Sequence, residues 1–253
     1  MADPSPARVA ILAAVALLAG TVDAIGGGGG LLTVPALLWA GLPPHLALGT
    51  NKGQSVFGSG AALARFARAG LVETARARVT FPAGLAGSLA GAWLVLRMSP
   101  ERLRPVVLGL LIFAAVFVGT RRARPPRSGH EVRRGASAVA AAIALAIGAY
   151  DGFFGPGTGT FLILGFVAFL GDGPARASAD AKVVNFASNL AAVALFASHG
   201  AVIWRIAVPM AAAQLAGGWL GAHLAVRRGD ALVRRVVVAV ALALAAKLAW
   251  DMR

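Results

Sequence analysis

Two lysines and two aspartates stand in stretches otherwise fit for lipid, and they are the residues best placed to do chemistry. Lys52 lies in Gly-Thr-Asn-Lys-Gly-Gln-Ser and Lys182 in Asp-Ala-Lys-Val-Val-Asn-Phe, each early in a long apolar run. Helical spacing puts Ser55 and Ser59 on the face of Lys52, which Thr50 and Asn51 directly precede, and puts Asn185 and Asn189 on the face of Lys182. An ammonium followed by hydroxyls or amides suits a small oxyanion. The plainer alternative pairs the lysines with Asp23 and Asp151, or with Asp180, and lets them snorkel to the membrane interface. Asp23 and Asp151 end two other apolar runs. A carboxylate inside a membrane costs at least about 2.5 kcal/mol and usually faces a bundle interior or a water path. Three roles stay open for the pair: coupling a proton or cation, pinning a loop by accepting backbone N–H bonds, or capping a helix end.

Each aspartate is followed by glycines that a membrane helix cannot run through. Gly26 to Gly30 are consecutive, so Gly27 and Gly29 follow Asp23 as Gly155 and Gly157 follow Asp151, in Tyr-Asp-Gly-Phe-Phe-Gly-Pro-Gly-Thr-Gly-Thr-Phe. No Lys-Ser or Lys-Thr follows at the spacing of a phosphate loop. The glycines instead expose N–H groups where the next half-helix starts, and the helix dipole there attracts an anion. Thr158 and Thr160 add hydroxyls beside them. Close helix packing is the alternative use of such glycines.

The elements that must hold these residues are transmembrane helices. The 253 residues are 58% hydrophobic and 13% charged, with a mean hydropathy of +0.76, beyond the composition of a soluble domain. Ala, Leu and Gly bias excludes an alternating barrel. The expected fold is all-α and polytopic, with about eight to ten membrane segments. The net charge of +14 comes from arginines lying mostly between apolar runs, as in cytoplasmic loops, and does not point to nucleic acid. Without cysteine there is no disulfide, thiolate metal site or thiol nucleophile. Residues 9–22 match a signal-peptide core only in length, since Asp23 and glycines replace a cleavage site, and are read as the first membrane segment.

Apolar segments run over residues 9–25, 31–42, 47–66, 79–96 and 106–119, and again over 136–154, 161–170, 177–198, 202–226 and 232–250. The second segment of each set is too short to span and reads as a half-helix near the midplane, its freed backbone groups facing protein or a wet cavity. The sets match at a register of 128 through the glycines and 130 beyond them: Lys52 with Lys182, Phe66 with Phe196, Gly87 with Gly217, Gly91 with Gly221. This predicts a first membrane repeat over 1–120, a basic cytoplasmic linker over 121–135 and a second repeat over 136–253. An inverted second repeat gathers Arg65, Arg68, Arg76, Arg78, the linker arginines and Arg227, Arg228, Arg234 and Arg235 on the inside, and leaves Arg97, Arg102, Arg104 and Arg205 outside. Inversion is therefore favoured over a parallel arrangement.

His45, His199 and His223 lack ligand spacing, and no Ser, His and acid grouping suggests hydrolysis, so neither a metal, a cofactor nor an enzyme is expected. The runs Asp23–Leu38, Ala47–Lys52, Tyr150–Phe161 and Ala181–Asn189 together resemble the TauE/SafE family of membrane permeases, also called sulfite exporters, over nearly the whole chain. The resemblance implies a multi-pass transporter of the bacterial inner membrane that moves sulfite, sulfonates or other small organic anions. The expected mechanism is alternating access around the two glycine breaks, with proton coupling as an option at Asp23 or Asp151. A passive anion channel, and more remotely a membrane scaffold or embedded enzyme, are the competing classes.

Overall fold

The computed structural model describes residues 5–103, 105–107, 109, 110 and 135–251. The expected fifth segment and the basic linker over 121–135 fall almost wholly outside these residues. In chain order the helices are α1 (Pro6–Gly26), α2 (Gly30–Trp39), α3 (Pro44–Arg68), α4 (Thr74–Leu96), α5 (Ala136–Phe153), α6 (Thr158–Gly165), α7 (Pro174–Ser198) and α8 (Trp204–Asp251). A π-helical stretch, Phe166–Leu170, extends α6. There are no strands among the described residues.

Both glycine breaks fall where the sequence puts them. α1 stops at Gly26, where Gly27 and Gly28 take φ of 76° and 90°, and α2 starts at Gly30. α5 stops at Phe153, Gly155 and Gly157 take φ of 96° and 87°, and α6 starts at Thr158. Only glycine adopts such backbone without strain. α2 and the α6–π unit are the two short apolar helices. The range of α8 holds two helical stretches that meet in a kink at Gly229 (φ 61°, ψ −155°), between the separate segments expected over 202–226 and 232–250.

α1, α4, α5 and α7 are each long and apolar enough to cross a membrane. α3 matches α7 in length, 25 residues, and both open on a proline, whose missing N–H costs nothing in a first turn. α3 and α7 pack against each other, and α3 is enclosed all round over Ala47 to Gln54, burying Thr50, Asn51, Lys52 and Gln54, with Ser59 further along. Leu18, Trp39, Phe169 and Val208 are exposed, as a lipid-facing belt requires.

The parts of the chain before and after the linker interlock rather than stand apart. α1 packs on α8, and α5 packs on α4. Small residues make both contacts possible. A methyl group at Gly87 or Gly91 of α4 would lie 2.1 or 2.0 Å from the carbonyl oxygens of Leu145 and Ala149 on α5. At Gly217 or Gly221 of α8 it would lie 2.2 Å from the carbonyl oxygen of Leu17 or Thr21 on α1. Backbones this close gain dispersion contacts and Cα–H···O bonds that substitute for the missing hydrophobic drive in lipid.

Gly91→Ala is therefore expected to cost about 1–3 kcal/mol of stability through overpacking, seen as a lower melting temperature in detergent. Gly165→Ala, whose added methyl would meet only Ile143 carbons at 3.4 Å or more, is expected to leave it unchanged or raised. Equal melting temperatures for the two variants would contradict this packing.

Candidate functional site

The two lysines reach across the molecule to the aspartate of the opposite half. Lys52 Nζ lies 2.7 Å from Asp151 Oδ1, and Lys182 Nζ lies 2.6 Å from Asp23 Oδ2. The reason is geometric. Asp23 and Asp151 occupy the last turns of α1 and α5, the negative end of the helix dipole, where a carboxylate is repelled unless a cation answers it. α3 and α7 pack against each other and supply that cation, each from its third turn. These aspartates are not N-terminal caps.

Each carboxylate also holds its own glycine break. Asp23 Oδ1 accepts the Gly29 N–H at 3.1 Å, while Asp151 Oδ1 accepts the Thr158 hydroxyl at 2.9 Å. The Ser188 hydroxyl donates to Asp151 Oδ2. Lys52 Nζ would lie 2.9 Å from a Cβ placed on Gly155, so the ammonium occupies the space that this glycine leaves. The Lys52–Asp151 side chains are 2% and 5% exposed, and the Lys182–Asp23 side chains 0% and 20%, so Asp23 is the least enclosed of the four.

The breaks touch each other. A Cβ at Gly27 would fall 2.1 Å from Thr160 N, and one at Gly159 would fall 2.7 Å from Gly27 Cα. Thr160 Oγ1 donates to Gly26 O at 3.0 Å, and Ser178 Oγ donates to Ala24 O and Ile25 O, both at 3.0 Å, so α6 and α7 hold the end of α1. Several amides at the half-helix starts are engaged locally: Leu31 N–H returns to Gly28 O, Leu32 and Thr33 N–H to Gly29 O, and Thr158 N–H to Gly155 O. An approaching anion meets fewer free backbone donors than the glycine run alone suggests.

Of the polar stripes, Asn189 Nδ2 donates to Ser59 Oγ at 3.4 Å, joining two positions 130 residues apart where α3 and α7 pack together. Asn51 Oδ1 accepts from Thr33 Oγ1 at 2.6 Å and from Gln54 Nε2 at 2.9 Å, and Gln54 Nε2 also reaches Ser55 Oγ at 3.2 Å. Asn185 is buried beside Gly159. Thr50 stands apart: its hydroxyl accepts the Ile203 N–H at 3.0 Å and ties α3 to the start of α8.

Thr33, Gln54, Ser178, Ser188 and Gln214 are buried polar groups that the sequence reading passed over. For Ser188 and Gln214 the reason is that duplication was the filter. Their counterparts 130 residues earlier are Gly58 and Gly84. A lone amide in the apolar run Ala211 to Leu215 was signal enough.

Asp180 pairs with neither lysine. It accepts the Glu73 N–H at 3.0 Å and Arg76 Nη1 at 2.8 Å, and Arg76 also binds Asp172 through both terminal nitrogens and Glu73 at 3.0 Å. This ionic cluster ties the start of α4 to the start of α7.

Removing one partner of a buried pair costs about 3–5 kcal/mol. Lys52→Ala, which strands the more enclosed Asp151, is expected to lower thermal stability more than Lys182→Ala, which strands the less enclosed Asp23. Adding Asp151→Asn to Lys52→Ala should recover most of the loss. Equal losses, or no recovery, would contradict the pairing read from calorimetry or fluorescence melts.

The sulfite exporter TauE/SafE family matches residues 12–248 of the chain. The chain is 37% identical over 243 residues to a protein described as probable membrane transporter protein ORF9 of Sinorhizobium sp, covering 96% of this chain and 93% of that one. It is 38% identical over 250 residues to probable membrane transporter protein YfcA of Escherichia coli K12, covering 98% and 91%. It is 36% identical over 246 residues to a probable membrane transporter protein of Haemophilus influenzae, covering 96% and 95%. No solved structure matches. The helical architecture, the four helices able to cross a membrane and these relatives agree: the chain is a multi-pass membrane protein of the TauE/SafE transporter family, not an enzyme.

Proposed function

We propose that the protein is a secondary transporter of small sulfur-containing or organic anions such as sulfite or sulfonates, working by alternating access in the bacterial inner membrane. The observation that carries this reading is the crosswise Lys52–Asp151 and Lys182–Asp23 pairing at two abutting glycine breaks. Two ammonium groups this deep in a membrane protein are held by carboxylates, and an oxyanion is the ligand that can take a carboxylate's place. The freed aspartate, no longer answered by a cation in a poorly solvated site, takes up a proton. Anion and proton then enter together, and the aspartate reclaims its lysine when both leave.

The repeated positions support two alternately opening ends. At one, Glu73 N–H meets Asp180 beside Arg76 and Asp172; at the other, the positions 130 residues removed place Ile203 N–H on Thr50 beside Ile206 and Leu42. The first end is held by ions and the second by apolar contact. Under an inverted repeat these are the two gates. The exposure of Asp23 against the enclosure of Asp151 makes the Lys182–Asp23 pair the first to meet substrate.

Purified protein in proteoliposomes is expected to accumulate labelled sulfite or a sulfonate when an inward proton gradient is imposed. Lys52→Ala and Lys182→Ala should each reduce that uptake at least about tenfold, the size expected for loss of a charge-assisted contact. Wild-type flux in both variants would refute the binding assignment. Flux that never exceeds equilibrium under the gradient would establish a passive channel instead.

A further inference from the structure

Three buried amides on α3, α7 and α8 take no part in the ion pairs. The oxygens Gln54 Oε1, Asn185 Oδ1 and Gln214 Oε1 have no hydrogen-bond partner, although the residues are 0%, 4% and 3% exposed. Buried carbonyl oxygens without partners are rare and costly, and each calls for an explanation. The side chains of Asn185 and Gln214 make no hydrogen bond among the described residues at either end of the amide. Exchanging the oxygen and nitrogen of these groups therefore does not remove the vacancy: each presents one donor and one acceptor.

One of them stands beside the Lys182–Asp23 pair, and another packs on the two helices that carry Asp23 and Lys52. Asn185 lies three residues beyond Lys182 on α7. Its Nδ2 stands 3.2 Å, and Asp23 Oδ1 3.4 Å, from the point a Cβ on Gly159 would occupy. Gln214 of α8 packs its Cγ against Gly58, one turn along α3 from Gln54, and against Gly20, three residues before Asp23. Its matching position 130 residues earlier is Gly84, so this amide has no duplicate and breaks the equivalence of the two half-sites.

An oxyanion with acceptors only can use the lysines and the amide N–H groups. It leaves the amide oxygens unpaired and sets its own negative oxygens against them. A ligand with an O–H or N–H next to its anionic group answers both ends of each amide. We propose that the site selects small oxyanions bearing a hydroxyl or amino donor over equally charged ones without it, and that Asn185 and Gln214, with Gln54, are the residues that select. This rests on the anion-transport reading above. Sites built to hydrogen-bond a substrate hydroxyl discriminate far more strongly than apolar pockets do, because the analogue leaves buried groups unpaired.

The test compares 2-hydroxyethanesulfonate with propane-1-sulfonate, equal in charge and heavy-atom count, binding to the purified full-length protein by calorimetry, with sulfite alongside. The hydroxylated anion is expected to bind at least about tenfold more tightly. Gln214→Met and Asn185→Leu, each checked for folding by its melting transition, should bring the affinity ratio toward one. Equal binding of the two sulfonates by the wild type, or a ratio unchanged in both variants, overturns the selectivity and leaves the transport reading standing. If neither sulfonate binds while sulfite does, the selectivity is again overturned; if sulfite also fails, the transport reading falls with it.

Discussion

The crosswise pairing of two lysines with two aspartates is the constraint on which the rest of this molecule depends. A carboxylate in the last turn of a helix, buried in a membrane protein, is opposed by desolvation and by the helix dipole at once. Lys52 and Lys182 answer both, and because each reaches the opposite half, neither half can settle its own charges alone. The pairing therefore demands that α3 and α7 pack together, and that the ends of α1 and α5 reach them. Buried pairs of this kind add little to net stability, but they fix which groups must be neighbours.

Glycine is what lets the backbone comply. The breaks after α1 and α5 approach so closely that Gly27 and Gly159 leave no room for a side chain, and Gly155 leaves the room that Lys52 fills. The same economy of size holds at the periphery, where Gly87 and Gly91 seat α4 on α5 and Gly217 and Gly221 seat α8 on α1. Unwound backbone is tolerated here because carboxylates, threonine hydroxyls and neighbouring helices take up its polar groups.

Much of this was legible in the sequence. Apolar run lengths gave the helix class, consecutive glycines gave the breaks, and the shared register singled out Lys52, Lys182, Asp23 and Asp151. What the register could not give was direction. Sequence spacing places a lysine on a helix face without saying which aspartate lies across the bundle, so duplication favoured an anion as the partner while the carboxylates stayed the alternative. Reliance on duplication also hid the residues that are single: Ser188, which donates to Asp151, the amide of Gln214, and Arg76 with its three carboxylates. The kink at Gly229 falls between the two segments expected over 202–226 and 232–250, where Arg227 to Asp230 interrupt the apolar runs.

If an anion binds by taking the place of a carboxylate on lysine, binding and protonation are one event. Calorimetric titration of sulfite into the purified protein, repeated in buffers of different ionisation enthalpy, measures the protons exchanged per anion bound. The account predicts net proton uptake on binding, beyond any taken up by sulfite itself, and its loss when Asp23 and Asp151 are both replaced by Asn. Binding of the same anion by the unaltered protein with no proton uptake would contradict it.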